Sequence, residues 1–185
     1  MGTCRKYVYY LFGTAFLLSV FVKPVSAQTK ILDSLKGVLQ KAEGKAKVST
    51  LLELCWEYRF INADSARAYG LKALALAKKE NSEDLEAEAL NNIGVTYEAQ
   101  GNYDEALTYE SQALTLRKKL GDSSKIANTL NTLGIIYDER GDYEKALTHY
   151  FDARKIYEGL EDESKIAMVL TNIGIVLRAQ KEYEK

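Results

Sequence analysis

A forty-residue recurrence governs what this chain can become. LNNIGVTYEAQGNYDEAL begins at Leu90, LNTLGIIYDERGDYEKAL at Leu130 and LTNIGIVLRAQKEYEK at Leu170. Gly94, Gly134 and Gly174 therefore stand 40 residues apart twice, and Tyr103, Tyr143 and Tyr183 keep the same interval. So do Ala106 and Ala146, Ala113 and Ala153, and the linking SKIA at Ser124 and Ser164. A worn copy lies upstream: Leu51, Leu54, Cys55 and Tyr58 match Leu90, Ile93, Gly94 and Tyr97 at an offset of 39, while Ala66 and Ala73 match Ala106 and Ala113 at 40. One residue is missing between them, in the turn at Asn62-Ala63-Asp64-Ser65. A unit of this length is one supersecondary piece that cannot bury its apolar flank alone, so neighbouring copies must stack.

Each copy splits into two helices. The first carries Leu90, Ile93 and Tyr97 at helical spacing. It stops at Gly101 or Gly141, since glycine takes the left-handed conformation at little cost. Asn102 or Asp142 follows in the N-cap position, where a side-chain oxygen accepts an orphan backbone N–H. Asp104, Glu105 and Glu144 fall in the next first turn and Arg117, Lys118 and Lys119 in a last turn, both favourable to the helix dipole. A two-residue turn makes the helices antiparallel. The only proline is Pro24, so no later helix is interrupted by one, and no β-branched run alternates with polar residues. Small residues at Gly94, Ala106 and Ala113 are expected where helices approach closely, with Tyr97 and Tyr103 filling the space beside them, and a bulky residue at Gly134 is expected to overpack the contact.

The first 27 residues read as an address. Arg5 and Lys6 precede a largely apolar run of 16 residues, Tyr7 to Val22; Pro24 follows, then Val25-Ser26-Ala27 before Gln28. This is the three-part pattern of a cleaved secretory leader, with cleavage after Ala27. The run is short for a spanning helix, which needs about 20 apolar residues. The expected location of the body is periplasmic or extracellular, without stable membrane insertion after cleavage. Cys55 is then the single cysteine, expected as a small buried packing residue. Ile31, Leu32, Leu35, Val38 and Leu39 form an amphipathic helix ending near Gly44, suited to cap the apolar edge of the first copy.

The sequence of small residue, Tyr three positions on, Gly-x-Tyr-x-x-Ala and then Ala seven later resembles the tetratricopeptide repeat, over about residues 47 to 185. The departures are a period of 40 rather than about 34, as in the kinesin-light-chain type of array, the absent late proline, Glu110 where an aromatic is usual, Lys181 in place of the turn glycine and Cys55 in place of the first glycine. The resemblance implies an all-α, right-handed α-solenoid of antiparallel helix pairs. The expected organisation is a leader at 1–27, a capping helix at 28–44, and repeats at 45–84 (degenerate), 85–124, 125–164 and 165–185. The last holds its first helix only, which suggests the front piece of a longer protein; the rival reading is that this helix is itself the cap.

Chemistry finds little foothold. His149, the single histidine, sits at the position of Tyr109 and reads as ordinary helix surface. No phosphate loop, nucleophile elbow or His/Cys metal spacing occurs, so neither catalysis, cofactor nor metal is expected. Asp138-Glu139 and Glu161-Asp162-Glu163 read as solvated helix ends rather than an acid–base pair. The leader holds three of the 25 basic residues and none of the 26 acidic ones, which leaves the body at −4. That balance excludes the clustered cations nucleic-acid binding requires.

The resemblance points to the concave face lined by the first helix of each pair. Asn92, Thr132 and Asn172 share one register there, with Asn91 and Asn131 one residue before. Glu98 and Asp138 follow a turn later, opposite Arg178. Asparagine offers donor and acceptor together and pairs with the backbone of an extended peptide, as in related arrays; it equally serves to tie adjacent helices. The mixed charge does not match a positive carboxylate clamp. The resemblance therefore implies a protein or peptide ligand in the groove, with the exposed last helix offering a surface for homo-oligomerisation. The alternative is the sensor segment of a larger signalling protein, resembling the N-terminal halves of Bacteroidetes-like histidine kinases, cyclases or transcriptional regulators.

Overall fold

The computed structural model of the chain describes residues 25–183, so the expected leader through Pro24 and the last two residues lie outside it. Among the described residues there are eight α-helices and no strands. They are α1 (Val25–Leu39), α2 (Gly44–Tyr58), α3 (Ala63–Lys79), α4 (Glu83–Glu98), α5 (Tyr103–Leu120), α6 (Ser123–Arg140), α7 (Tyr143–Gly159) and α8 (Glu163–Tyr183). Sequence neighbours pack on each other throughout, and α2–α4, α4–α6 and α6–α8 also touch. The result is the all-α, right-handed solenoid that the resemblance implies.

The turns obey the expected chemistry with two exceptions. Gly101 and Gly141 take φ of +73° and +86°. Asn62, Asp122 and Asp142 cap their helices by accepting the N–H of Ser65, Lys125 and Lys145. Asn102 holds the N-cap position but makes no side-chain capping bond. The second exception is Gly44, expected as a helix stop. The helix before it ends at Leu39, and Gly44 instead opens α2 with a φ of +52°. Where Lys181 replaces the turn glycine, α8 runs on to Tyr183.

The core is built from one contact repeated with its parts exchanged. A Cβ on Gly134 would lie 2.5 Å from the Tyr150 ring, and one on Gly94 would lie 2.8 Å from Oε1 of Glu110. The glycine therefore makes room for a large side chain from the second helix of its own pair, rather than for a bare helix backbone. In the first pair the roles are reversed: Cys55 stands on the first helix, and Gly70 stands where Glu110 and Tyr150 do. A Cβ on Gly70 would meet Sγ of Cys55 at 3.1 Å and Ile93 at 2.7 Å. Cys55 is fully buried as expected, and burial pushes its thiol pKa up. Fully buried Leu54, Ile93, Ile136 and Val176 continue the core, each worth roughly 1.5–3 kcal/mol of transfer free energy.

A second repeated contact lies outside this one. Tyr58 stacks on Tyr69 and Tyr97 on Tyr109, each with ring centroids 5.5 Å apart, and Tyr137 stacks on His149 at 5.3 Å. His149 is therefore not ordinary surface. It completes an aromatic ladder, and burial lowers its pKa, holding the imidazole neutral.

Candidate partner-binding face

The first helices α2, α4, α6 and α8 line one face, and the helical period brings every third or fourth residue of each onto it. The register of Asn92, Thr132 and Asn172 is half-buried there. Asn92 Nδ2 donates to the carbonyl of Leu52 on α2 at 3.4 Å, and Asn172 Nδ2 donates to Oδ1 of Asn131 at 3.1 Å. Thr132 Oγ1 donates to the Asn128 carbonyl of its own helix at 3.2 Å. These amides thus do tie neighbouring first helices together, but each retains hydrogen-bonding capacity beyond its one bond.

Asn91 is not on the face. Its side chain turns inward, where Nδ2 donates to Oε1 of Glu110 at 2.7 Å and Oδ1 accepts from Arg117 at 3.3 Å. Arg117 also donates to Thr129 Oγ1, so it stands in the last turn of α5 as expected but is buried against α4 and α6. Glu110 is fully buried, and desolvation raises its pKa to about 8 despite Asn91 and Arg117. Asn131 is likewise buried and serves as the acceptor for Asn172.

Glu98 faces an acid on the neighbouring first helix. Glu98 and Glu139 face each other across α4 and α6 within hydrogen-bonding reach. Burial, then the charge of Glu98, pushes Glu139 up to about 7, and burial raises Glu98 as well. Burial raises Asp138, and no salt bridge among the described residues joins it to Arg178, which is exposed on α8. The acids at this end of α6 are thus not simply solvated caps. Asp162 does cap α8, accepting the N–H of Lys165 at 3.0 Å.

Sequence reasoning passed over the apolar register three residues on from the asparagines. Trp56, Val95, Ile135 and Ile175 occupy it, and Trp56 and Ile175 are each 45% exposed. The same offsets of 39 and 40 would have found them. Beside Trp56 lies a cavity of about 420 Å³ between α1, α2 and α4, floored by Ile31, Leu35 and Leu52 and rimmed by Glu53, Glu57, Glu88 and Asn92. The Arg59 guanidinium stacks 3.4 Å from the Trp56 ring and holds the indole in place. Among the described residues, no group of His, Cys, Asp or Glu is arranged to hold a metal ion, and no helix is long and apolar enough to cross a membrane.

The tetratricopeptide-repeat family model matches residues 61–119, 85–159 and 125–185. Solved structures with the same fold include a signal-transduction ATPase with numerous domains from Pyrococcus horikoshii, which carries a tetratricopeptide-repeat sensor. It is 22% identical at a TM-score of 0.76, over 85% of this chain and 25% of its own. A Rap protein complexed with competence and sporulation factor is 17% identical at a TM-score of 0.72, over 85% and 46%. The apo form of RapI gives 19% and 0.72, over 86% and 46%. The chain thus spans less than half the length of each of these three proteins. No curated protein sequence matches it.

Proposed function

Because the chain belongs to the tetratricopeptide-repeat family, we infer that it is an exported, non-catalytic scaffold whose concave face holds a peptide or protein partner. The observation that carries this reading is the continuous face on α2, α4, α6 and α8. There the half-buried Asn92, Thr132 and Asn172 run beside Trp56, Val95, Ile135 and Ile175. An extended segment needs that combination, amides for its backbone and apolar contacts for alternate side chains. The Rap protein solved with competence and sporulation factor shows a related solenoid in complex with a partner, which supports a recognition role. The apolar run at Tyr7–Val22 and the small residues at Val25 and Ala27 support export. The acidic body disfavours nucleic acid as the partner.

The test is capture of partners from envelope extract by the wild-type array and by N92A/T132A/N172A. The triple variant is expected to lose its captured partner while keeping its far-UV circular dichroism. Retained capture with unchanged helicity would sink the assignment of this face. A second reading, a sensor segment of a longer signalling protein, draws on the likeness to the repeat sensor of the Pyrococcus ATPase.

A further inference from the structure

We propose that the cavity between α1, α2 and α4 is a specificity pocket for a basic-apolar segment of the partner, taking one bulky aliphatic or aromatic side chain with Lys or Arg beside it. This rests on the scaffold reading above and names the partner's chemistry. The cavity of about 420 Å³ suits one or two side chains, at the small end of the ~300–1,000 Å³ typical of ligand pockets. Its floor of Ile31, Leu35 and Leu52 is apolar, and the Trp56 indole forms a largely apolar wall.

Its rim is mainly acidic. Glu53 and Glu57 come from α2 and Glu88 from α4. Neither Glu53 nor Glu88 forms a salt bridge to a described cation. Two cations lie in this region: Arg59 stacks on the Trp56 wall and on Phe60 and offsets the charge of Glu57, and Lys36 lies over the Tyr58 ring, so the uncompensated rim charge is that of Glu53 and Glu88. The carboxylates of Glu53 and Glu88 beside a low-dielectric wall focus a negative potential that favours a cationic group and disfavours an acidic one. Asn92 on the same rim extends the groove amides into the pocket, so a segment bound along the face reaches it without a turn.

The probes are three labelled octapeptides of Gly-Ser background: one with Leu followed by two Lys, one with Leu followed by two Glu, and one with Gly replacing the Leu before two Lys. Anisotropy with the full chain is expected to show binding of the first and at least ten-fold weaker binding of the other two. E53Q/E88Q should weaken the first at least ten-fold and flatten its salt dependence, and Trp56→Ala should weaken it at unchanged helicity. Equal binding of the Lys and Glu peptides, or an unaffected E53Q/E88Q variant, overturns the proposal. If the Leu-Lys peptide does not bind while N92A/T132A/N172A still abolishes partner capture, the pocket assignment falls and the scaffold stands. If the peptide binds as described but capture ignores the triple substitution, the pocket stands and the assignment of the long face falls.

Discussion

The second helix pair carries a buried charge layer that the third pair lacks, and exchanging one for the other is a quantitative experiment. Glu110 and Arg117 stand one period before Tyr150 and Tyr157, and all four are buried. Gly94 opposes Glu110 as Gly134 opposes Tyr150, so the slot for an aromatic ring already exists. Tyr157 donates to Oδ1 of Asn128 at 2.8 Å, and the residue one period before Asn128 is Glu88, also an acceptor. Asn91 joins Glu110 to Arg117 in place of a direct ion pair; replacing such buried charged groups with well-packed residues is typically neutral or stabilising by about 1–4 kcal/mol, whereas removing one of them strands the other's buried polar atoms at about 1–3 kcal/mol. E110Y/R117Y should therefore be at least as stable as wild type, and R117Y alone clearly less stable at pH 8. The pH dependence has a fixed sign. Folding raises Glu110 from an ordinary value near 4.5 to about 8. Its stabilising, protonated form is fully present below the unfolded value, and stability declines as pH rises through the folded one. Over that window the loss is on the order of 5 kcal/mol, at about 1.4 kcal/mol per tenfold change in proton affinity. Urea unfolding followed by circular dichroism at pH 5 and pH 8 reads both effects. A double variant less stable than wild type at pH 8, or a double variant that keeps the wild-type decline, would refute the reasoning.

Two other substitutions probe the repeated contacts. Gly134→Ala places a Cβ 2.5 Å from the Tyr150 ring and should cost about 1–3 kcal/mol, whereas Gly174→Ala, whose Cβ meets nothing within 4 Å, should gain up to about 1 kcal/mol from helix propensity; thermal melts of the two variants should move in opposite directions. His149→Tyr copies Tyr109 into the aromatic ladder. The depressed pKa of His149 means that its neutral form stabilises the fold above the ordinary histidine value and that this contribution is lost as pH falls. The variant should therefore narrow the difference in melting temperature between pH 5 and pH 7, by roughly 2–4 °C per kcal/mol recovered.

The stacking of helix pairs was legible because a period of 40 repeats its glycines, tyrosines and alanines without a gap from Leu90 onward. Which helix face a residue joins is a separate question, and there the reading of Asn91 and Asn131 failed. Both sit one position before the groove register, and one helical step of about 100° takes a side chain from the open face to the core. Arg117 looked like a dipole partner because a charge in a last turn usually is, but Thr129, Asn91 and the Lys125 carbonyl accept from its guanidinium in a buried setting that a last-turn charge does not announce. Glu139 was passed over because its perturbation depends on Glu98 of the preceding pair, a residue 41 positions away that no local pattern connects to it.

The close contact at the centre of each pair shows how the recurrence tolerates such departures. What is held constant is the pairing of a small with a larger side chain, not residue identity. Cys55 with Gly70, Gly94 with Glu110 and Gly134 with Tyr150 all place one small and one larger side chain across the same helix crossing. The first pair assigns the two roles in the opposite order. Cys55 in place of a glycine is therefore not decay of the motif: a thiol on α2 fits because Gly70 on α3 has given up its side chain, and Ile93 from the next pair fills the rest. It follows that Cys55→Gly, which restores the family's residue, should destabilise this chain by opening a void beside Ile93. The same glycine at position 94 or 134 is required, because there the bulk arrives from the other helix.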